Sequence, residues 1–292
     1  MPELPEVEAI VRFLSLRTGR SQLVRVELAS FSSLKTVDPR LDDLLGHEVV
    51  AWERRGKYVC LRTSGPWLVT NLARGGWVKW HQQLPAATVR PGRGHVALRM
   101  GFAPGDGGQG SPGIDLTENG TEKRLAIWVV EHPNRIEAVA SLGVDPLDLA
   151  FTSRTLADLL SHATGNVKSA LTTQTLLAGV GNAYSDEVLH AARLSPFKPA
   201  QHLSENEVVA LHTALVELLT GAVAARTGLE ATSLKSEKRS AMRVHGRTGA
   251  ACPVCGDTIG EVAFATNSLQ YCPTCQTGGR RLADRRLSRL LK

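Results

Sequence analysis

Leu4, Val7, Ile10, Val11 and Leu14 recur every three or four residues. That spacing puts them on one face of a helix and predicts an amphipathic helix over residues 3–16. The period then falls to two. Val24, Val26 and Leu28 predict one strand stripe, Val50 and Trp52 open another, and Tyr58, Cys60 and Arg62 continue after a turn at Gly56. Further short runs at 66–72, 76–80, 94–100 and 123–130 are separated by Gly and Pro, the pattern of an antiparallel sandwich or barrel. Residues 101–120 (GFAPGDGGQGSPGIDLTENG) are rich in Gly, Asp and Pro and read as a flexible surface loop; no P-loop lysine pattern is present. Around LGVDPLDLA at 142–150 the pattern changes, and 152–163, 166–178, 183–193 and 204–227 carry helical periodicity. The expected organisation is therefore α+β and multidomain: a β-sandwich with flanking helices over 1–143, a helical domain over 144–247, and a small cysteine-bearing module with a basic tail over 248–292. There are no internal repeats.

Length and composition narrow the class. A chain of 292 residues with 42% hydrophobic content suits two domains with buried cores. No uninterrupted apolar run of membrane-spanning length and no signal-peptide pattern is evident, so a soluble cytoplasmic protein is expected. A net charge of +6 and a pI near 9.2 favour a polyanionic partner without naming one.

Chemistry first suggests itself at the start, Met1-Pro2-Glu3-Leu4-Pro5-Glu6. Proline in second position permits removal of the initiator methionine, which exposes a secondary amine. An α-amino group titrates roughly two to three units below a lysine, so part of it is nucleophilic at neutral pH. Attack on an aldehyde-level carbon gives an iminium, which eases elimination at the neighbouring carbon. Glu3 is placed to move protons, and Glu6 lies one turn further on. The plainer reading is a helix start, since Pro and acids suit a first turn.

Cys252-x-x-Cys255 and Cys272-x-x-Cys275 are sixteen residues apart. Four thiolates so arranged close a tetrahedral Zn²⁺ shell with no open position, so one structural zinc is expected; two disulfides would conflict with a cytosolic setting. Val262–Phe264 and Leu269–Tyr271 would form a hairpin with an exposed turn around Ala265–Ser268. Lys235, Lys238, Arg239, Arg243 and Arg247 precede the module, and Arg280, Arg281, Arg285, Arg286, Arg289 and Lys292 follow it, which suits phosphate contact better than a solvated face alone. Cys60 stands alone in a strand and reads as core.

Residues 176–187 (LLAGVGNAYSDE) place two glycines just before a helix that Asn182 would cap. Such a helix start suits a phosphate, and Lys168 on the preceding helix could reach the same one. Taken alone, this is an ordinary helix hairpin.

Together these segments resemble the formamidopyrimidine-DNA glycosylase/endonuclease VIII family of base-excision repair enzymes. The resemblance runs through MPELPEVE, RRGKY around Lys57, NLARGGW at 71–77, SLGVDPL at 141–147, VKSALTTQTLLAGVGNAYSDEVL at 167–189 and VHGRTGAACPVCG to YCPTCQ at 244–276. Leu4 points to the formamidopyrimidine branch. The resemblance implies a β-sandwich followed by a helix-two-turns-helix domain with a zinc finger. It implies a monomeric bifunctional glycosylase/AP lyase, acting in the bacterial cytoplasm on double-stranded DNA with damaged bases or abasic sites held between its domains. Pro2 would attack C1′ of a flipped-out nucleotide, Glu3 would assist base departure, and Lys57, Lys168 and Asn182 would hold phosphates, before β- and δ-elimination cut the strand.

The sequence departs from the family where DNA is wedged open. Arg74 stands for a methionine, Asn134 (before Arg135) for the arginine that pairs with the orphaned base, Ile136 for a phenylalanine, and Asn267 for a phosphate-gripping arginine. The stretch 228–243 is shorter than the family's lesion-capping region. Two alternatives are a specialised glycosylase for bulky or cross-linked adducts and a non-catalytic zinc-bearing binder of damaged DNA. Pro2, Glu3 and Lys57 together argue against the binder.

Overall fold

In the computed structural model, which describes residues 1–104, 110–264 and 267–282, the first helix is α1, Leu4–Thr18. Eight strands follow: β1 Leu23–Leu28, β2 Val49–Arg55, β3 Tyr58–Thr63, β4 Trp67–Asn71, β5 Gly76–His81, β6 Val96–Phe102, β7 Gly113–Glu118 and β8 Ala126–Val130. They pair antiparallel in two four-stranded sheets, β1-β6-β7-β5 and β2-β3-β4-β8. Leu61, Leu68, Ile127 and Val129 of one sheet join Val78, Leu98, Met100, Ile114 and Leu116 of the other in a single core, and Val7, Ile10, Phe13 and Leu14 of α1 complete it. This is the expected β-sandwich. At an order of ~25 cal/mol per Å² of apolar surface buried, such a core supplies the main drive for folding.

Two stripes face differently from the alternation. Val24 and Val50 are exposed, while Leu23 and Val49 are fully buried. A bulge follows each buried residue, between Leu23 and Arg25 and between Val49 and Ala51, and an extra residue shifts which side chains face the core. Cys60 is fully buried as expected, and burial pushes its thiol up to about 12, so it is a packing residue.

The presumed loop 101–120 holds β7, where Ile114 and Leu116 face the core. Gly and Pro on both sides hid the alternation. Asp115, between them, is buried on the opposite face, where Arg99 of β6 forks onto it at 2.7 and 2.9 Å and His81 of β5 meets it at 2.9 Å. This is a buried carboxylate inside a strand that composition assigned to solvent.

The remaining helices are α2 Glu137–Ala140, α3 Ser153–His162, α4 Val167–Thr172, α5 Asn182–Ala191, α6 Glu205–Arg226 and α7 Leu234–Ala241. A hairpin of β9 Gly260–Ala263 and β10 Ser268–Tyr271 and a last helix α8 Pro273–Thr277 complete the described chain. Thr152 and Asn166 cap α3 and α4 by accepting from Thr155 N and Ser169 N at 3.2 and 2.8 Å. The helix expected over 166–178 ends at Thr172. α6 is long and apolar enough by mean hydropathy to span a membrane, although His212, Thr213, Glu217 and Thr220 interrupt its apolar run; Val208, Leu211, Leu215, Leu219 and Val223 are buried along one face, and Glu205 and Glu217 are exposed.

The chain divides into two units, Met1–Ser141 with Ala225–Lys235, and Leu142–Ala224 with Ser236–Lys292. The first boundary falls where the pattern changed. The return of 225–235 to the first unit was not legible. There Ala231 and Leu234 enter the sandwich core, and Ala231 O accepts from Trp77 Nε1 at 2.7 Å.

Two predictions follow from packing. A Cβ on Gly76 would lie 2.1 Å from Leu72 O, a backbone atom that cannot move aside, so Gly76→Ala should cost about 2 kcal/mol or more and lower the melting temperature by several degrees. Burial raises the Asp115 carboxyl, but the Arg99 hydrogen bonds and charge, then those of His81, outweigh it and hold the group below its ordinary range. Its contribution is therefore full above about pH 4 and is lost as pH falls through the depressed folded value. Urea melts of Asp115→Asn should show a deficit at pH 7 that shrinks at pH 3; an equal deficit at both would contradict this.

Candidate nucleic-acid and catalytic site

In the first unit, α1 begins with Glu3 as its N-cap in extended conformation (φ −115°, ψ −176°). Pro2 and Glu3 are buried, and Glu6 has no exposed surface. Glu6 Oε2 accepts from Glu3 N–H at 2.9 Å, while Oε1 lies 3.4 Å from Nε of Arg226, the last residue of α6 and itself 1% exposed. The amino-terminal turn is thus anchored on a buried ion pair. Arg54 Nε donates to Glu8 Oε2 at 2.9 Å, which ties α1 to the end of β2, beside the Gly56–Lys57 turn. Burial raises the Glu8 carboxyl, and Arg54 and Arg12 more than compensate, holding it below its usual range. Lys57 is half-buried in that turn.

Arg74 is exposed on the turn from β4 to β5. Gly76 N donates to Leu72 O at 2.8 Å and Ala73 N to Asn71 Oδ1 at 2.9 Å, with Ala73 in the left-handed region at φ +48°. Asn134 and Arg135 are exposed on a short 3₁₀ turn, Pro133–Arg135, which His132 caps. Arg55 Nη1 donates to Asn134 Oδ1 at 3.3 Å, so a guanidinium that the sequence did not single out stands beside the asparagine. Arg135 pairs with Glu131 at 3.4 Å. Ile136 is 7% exposed and faces inward, so it offers no apolar tip in the place of the family's phenylalanine.

In the second unit the turn between α4 and α5 is held from within. Gln174 donates to Thr172 O and Val180 O at 2.9 and 2.8 Å and accepts from Gly179 N at 3.0 Å, with Gly179 at φ +91°. Gly181, not Asn182, is the N-cap of α5; Asn182 is the first helical residue, and its Nδ2 donates to Ser268 O of β10 at 2.7 Å. Lys168 points into the fold. Its Nζ donates to Asp186 Oδ1 at 2.6 Å, Ser185 Oγ at 2.7 Å and Asn182 O at 3.2 Å. Asp186, 1% exposed, also meets His245 Nδ1 at 2.7 Å and accepts from Gln270 N at 3.2 Å. Glu187 accepts from the backbone N–H groups of Arg243, Val244 and His245 at 2.8–2.9 Å. Asp186 and Glu187, in the second turn of α5, thereby gather α4, the segment before the cysteines and the hairpin after them.

The four cysteine sulfurs all lie within 4.8 Å of one another, Cys252–Cys275 at 3.9 Å and Cys255–Cys272 at 3.3 Å. A metal with Zn–S bonds of ~2.3 Å needs sulfurs roughly 3.8 Å apart in a tetrahedron, so the set fits a four-coordinate metal. His190 Nε2 stands 3.2 Å from Cys252 Sγ. Asn267 is exposed next to the hairpin turn, its carbonyl accepting from Phe264 N at 2.8 Å. Of that turn, Ala265 and Thr266 lie outside the described residues, as does the basic tail from 283 onward.

Comparison with known proteins agrees with this architecture. Residues 1–110 match the formamidopyrimidine-DNA glycosylase N-terminal domain, 142–233 the formamidopyrimidine-DNA glycosylase H2TH domain, and 249–278 a zinc finger found in FPG and IleRS. The formamidopyrimidine-DNA glycosylase of Synechococcus elongatus is 32% identical over 289 residues, covering 94% of this chain and 97% of that one. An uncharacterized formamidopyrimidine-DNA glycosylase-like protein of Mycobacterium tuberculosis is 55% identical over 152 residues, 52% of this chain and 95% of its own. Lactococcus lactis Fpg non-covalently bound to DNA containing an AP site superposes with a TM-score of 0.79 at 26% identity, over 94% of this chain and 99% of that one. The chain belongs to the formamidopyrimidine-DNA glycosylase/endonuclease VIII family of DNA repair glycosylases, with the H2TH domain and C-terminal zinc finger of that family.

Pro2, Glu3 and Glu6 therefore share one anchored turn, and the four cysteines form one cluster. Lys168 and Asn182 share the start of α5 but are engaged there by protein groups. Sequence reading missed Arg55, Asp186, Glu187 and Arg226. Two adjacent acids inside a helical pattern were a readable signal for Asp186 and Glu187; Arg226 had none. If the cysteines hold the metal, Cys252→Ser should lower zinc to well below one equivalent per chain by elemental analysis and destabilise the module. Stoichiometric zinc in that variant would contradict the assignment.

Proposed function

We propose that the chain is a monomeric bifunctional DNA glycosylase/AP lyase acting on double-stranded DNA with damaged bases or abasic sites, and that the amine of Pro2, freed by removal of Met1, is its nucleophile. The observation that carries this reading is the buried amino-terminal turn, which holds Pro2, Glu3 and Glu6 together in a chain of this family. The Pro2 nitrogen attacks C1′ of the extruded nucleotide, the N-glycosidic bond breaks, and the base leaves with a proton supplied through Glu3; the amine then gives up its proton and the C1′–O4′ bond opens, with a proton going to O4′, to leave an iminium at C1′. The resulting iminium withdraws electrons, so the C2′ proton is lost and the 3′ phosphate departs; a second elimination releases the 5′ phosphate. Lys57, half-buried in the turn beside α1, faces phosphate next to the lesion.

Backbone phosphates elsewhere are held by the α5 start, where Asn182 and Lys168 stand, and by Arg135, Asn267 and the basic segments. The cysteine cluster holds one Zn²⁺ with Cys252, Cys255, Cys272 and Cys275, which fills its shell and gives it a structural role. The metal keeps the hairpin that presents Asn267 in shape.

The test is borohydride trapping on abasic DNA. Pro2→Gly should remove trapping while the variant keeps its fold and its DNA affinity; full-rate trapping by a protein whose Met1 is retained would contradict the reading. A second prediction concerns the wedge positions. Arg74 is a poorer apolar plug than methionine, Asn134 has fewer donors than arginine, and Ile136 is buried. Base excision should therefore discriminate weakly between opposite bases. It should be slow on 8-oxoguanine paired with cytosine relative to distorted or bulky lesions, whose extrusion costs less. Single-turnover rates on duplexes differing only in lesion and opposite base check this, and fast, cytosine-selective excision of 8-oxoguanine would refute it.

A further inference from the structure

We propose that Arg226 is a positioning residue for the amino-terminal nucleophile, a role that rests on the Pro2 reading above. Glu6 is fully buried and Arg226 is 1% exposed, with Nε 3.4 Å from Glu6 Oε1. A buried carboxylate is costly without a countercharge, and Arg226 supplies one. The other oxygen, Oε2, accepts from Glu3 N–H at 2.9 Å.

That hydrogen bond reaches Pro2 through the peptide plane. Pro2 Cα, C and O lie in one plane with Glu3 N, H and Cα. Fixing the Glu3 N–H therefore fixes the plane that contains Pro2 Cα, and the ring nitrogen is then set by a single torsion. The guanidinium that steadies Glu6 thus orients the secondary amine without touching substrate.

Arg226 is itself held by the segment that follows it. Glu230 pairs with Arg17 at 2.8 Å, Ala231 O accepts from Trp77 Nε1 at 2.7 Å, and Leu234 is buried in the sandwich core. These attachments all lie in the unit that carries Pro2. A salt bridge that served only the core would have no reason to affect bond formation at Pro2.

The experiment compares Arg226→Met, Arg226→Lys, Glu6→Gln and the Arg226→Met/Glu6→Gln pair in the full chain. Three quantities are read: the trapping rate on abasic DNA at saturating enzyme, the Kd for that DNA, and hydrogen exchange of the Glu3 amide by NMR in nitrogen-labelled protein without DNA. Melting curves identify variants that fail to fold. Arg226→Met should lower the saturated trapping rate by roughly 10- to 100-fold, as expected for a misplaced reacting group. It should leave Kd within about twofold and speed Glu3 exchange. Arg226→Lys should restore most of the rate, because it keeps the countercharge and loses only the planar fork. The double variant should be no worse than Glu6→Gln, because one residue acts through the other. A folded Arg226→Met protein with wild-type trapping and unchanged Glu3 exchange would overturn the proposal, as would a loss additive with that of Glu6→Gln. If Arg226→Met does not fold, Arg226→Gln, which removes the charge and keeps a polar side chain, takes its place: slow trapping with fast Glu3 exchange supports the proposal, and wild-type values of both overturn it. Wild-type protein that binds abasic DNA and never traps would sink the Pro2 reading instead, and Glu3 exchange would still report whether Arg226 orders the turn.

Discussion

Buried carboxylates within the first two turns of two helices are the constraint on which the amino-terminal turn and the α5 turn depend. Glu6 in α1, and Asp186 and Glu187 in α5, are 0–5% exposed. A carboxylate so placed must be matched by donors and cations. Each therefore gathers groups from distant parts of the chain: Arg226 and the Glu3 amide around Glu6, Lys168 and His245 around Asp186, three consecutive amides around Glu187. Apolar packing builds the sandwich, but these acids set where the amino terminus and the α5 turn lie.

The same logic explains what could be read from the sequence and what could not. Periodicity identified α1, most strands and the long helices, because burial on one face leaves a local record at spacing two or 3.6. It failed at β7, where Gly and Pro flank a strand whose polar member, Asp115, is buried by Arg99 and His81. It also misplaced Val24 and Val50, because a bulge changes facing without changing composition. The cysteine cluster was legible because its spacing encodes its geometry. Arg226 was not, since nothing local marks an arginine as partner to an acid near the other end of the chain.

The candidate site shows the same division. Pro2, Glu3, Lys57 and the α5 turn were singled out by motif, and their neighbours were not. Arg55 beside Asn134 illustrates the gap, for the sequence reports that an arginine is missing from one loop and cannot report that another stands 3.3 Å away. Lys168 shows the converse. Its position suggested an open phosphate ligand, whereas its ammonium is held by Asp186 at 2.6 Å, so any phosphate it meets shares it with a buried acid.

If the amine of Pro2 bonds to DNA, mass spectrometry of the borohydride-trapped adduct of the full chain will find a sugar remnant on the peptide that begins with Pro2, Met1 having been removed. A remnant on Lys57 or Lys168 with Pro2 unmodified, or no adduct on a protein that cleaves abasic DNA, would contradict this bond to Pro2.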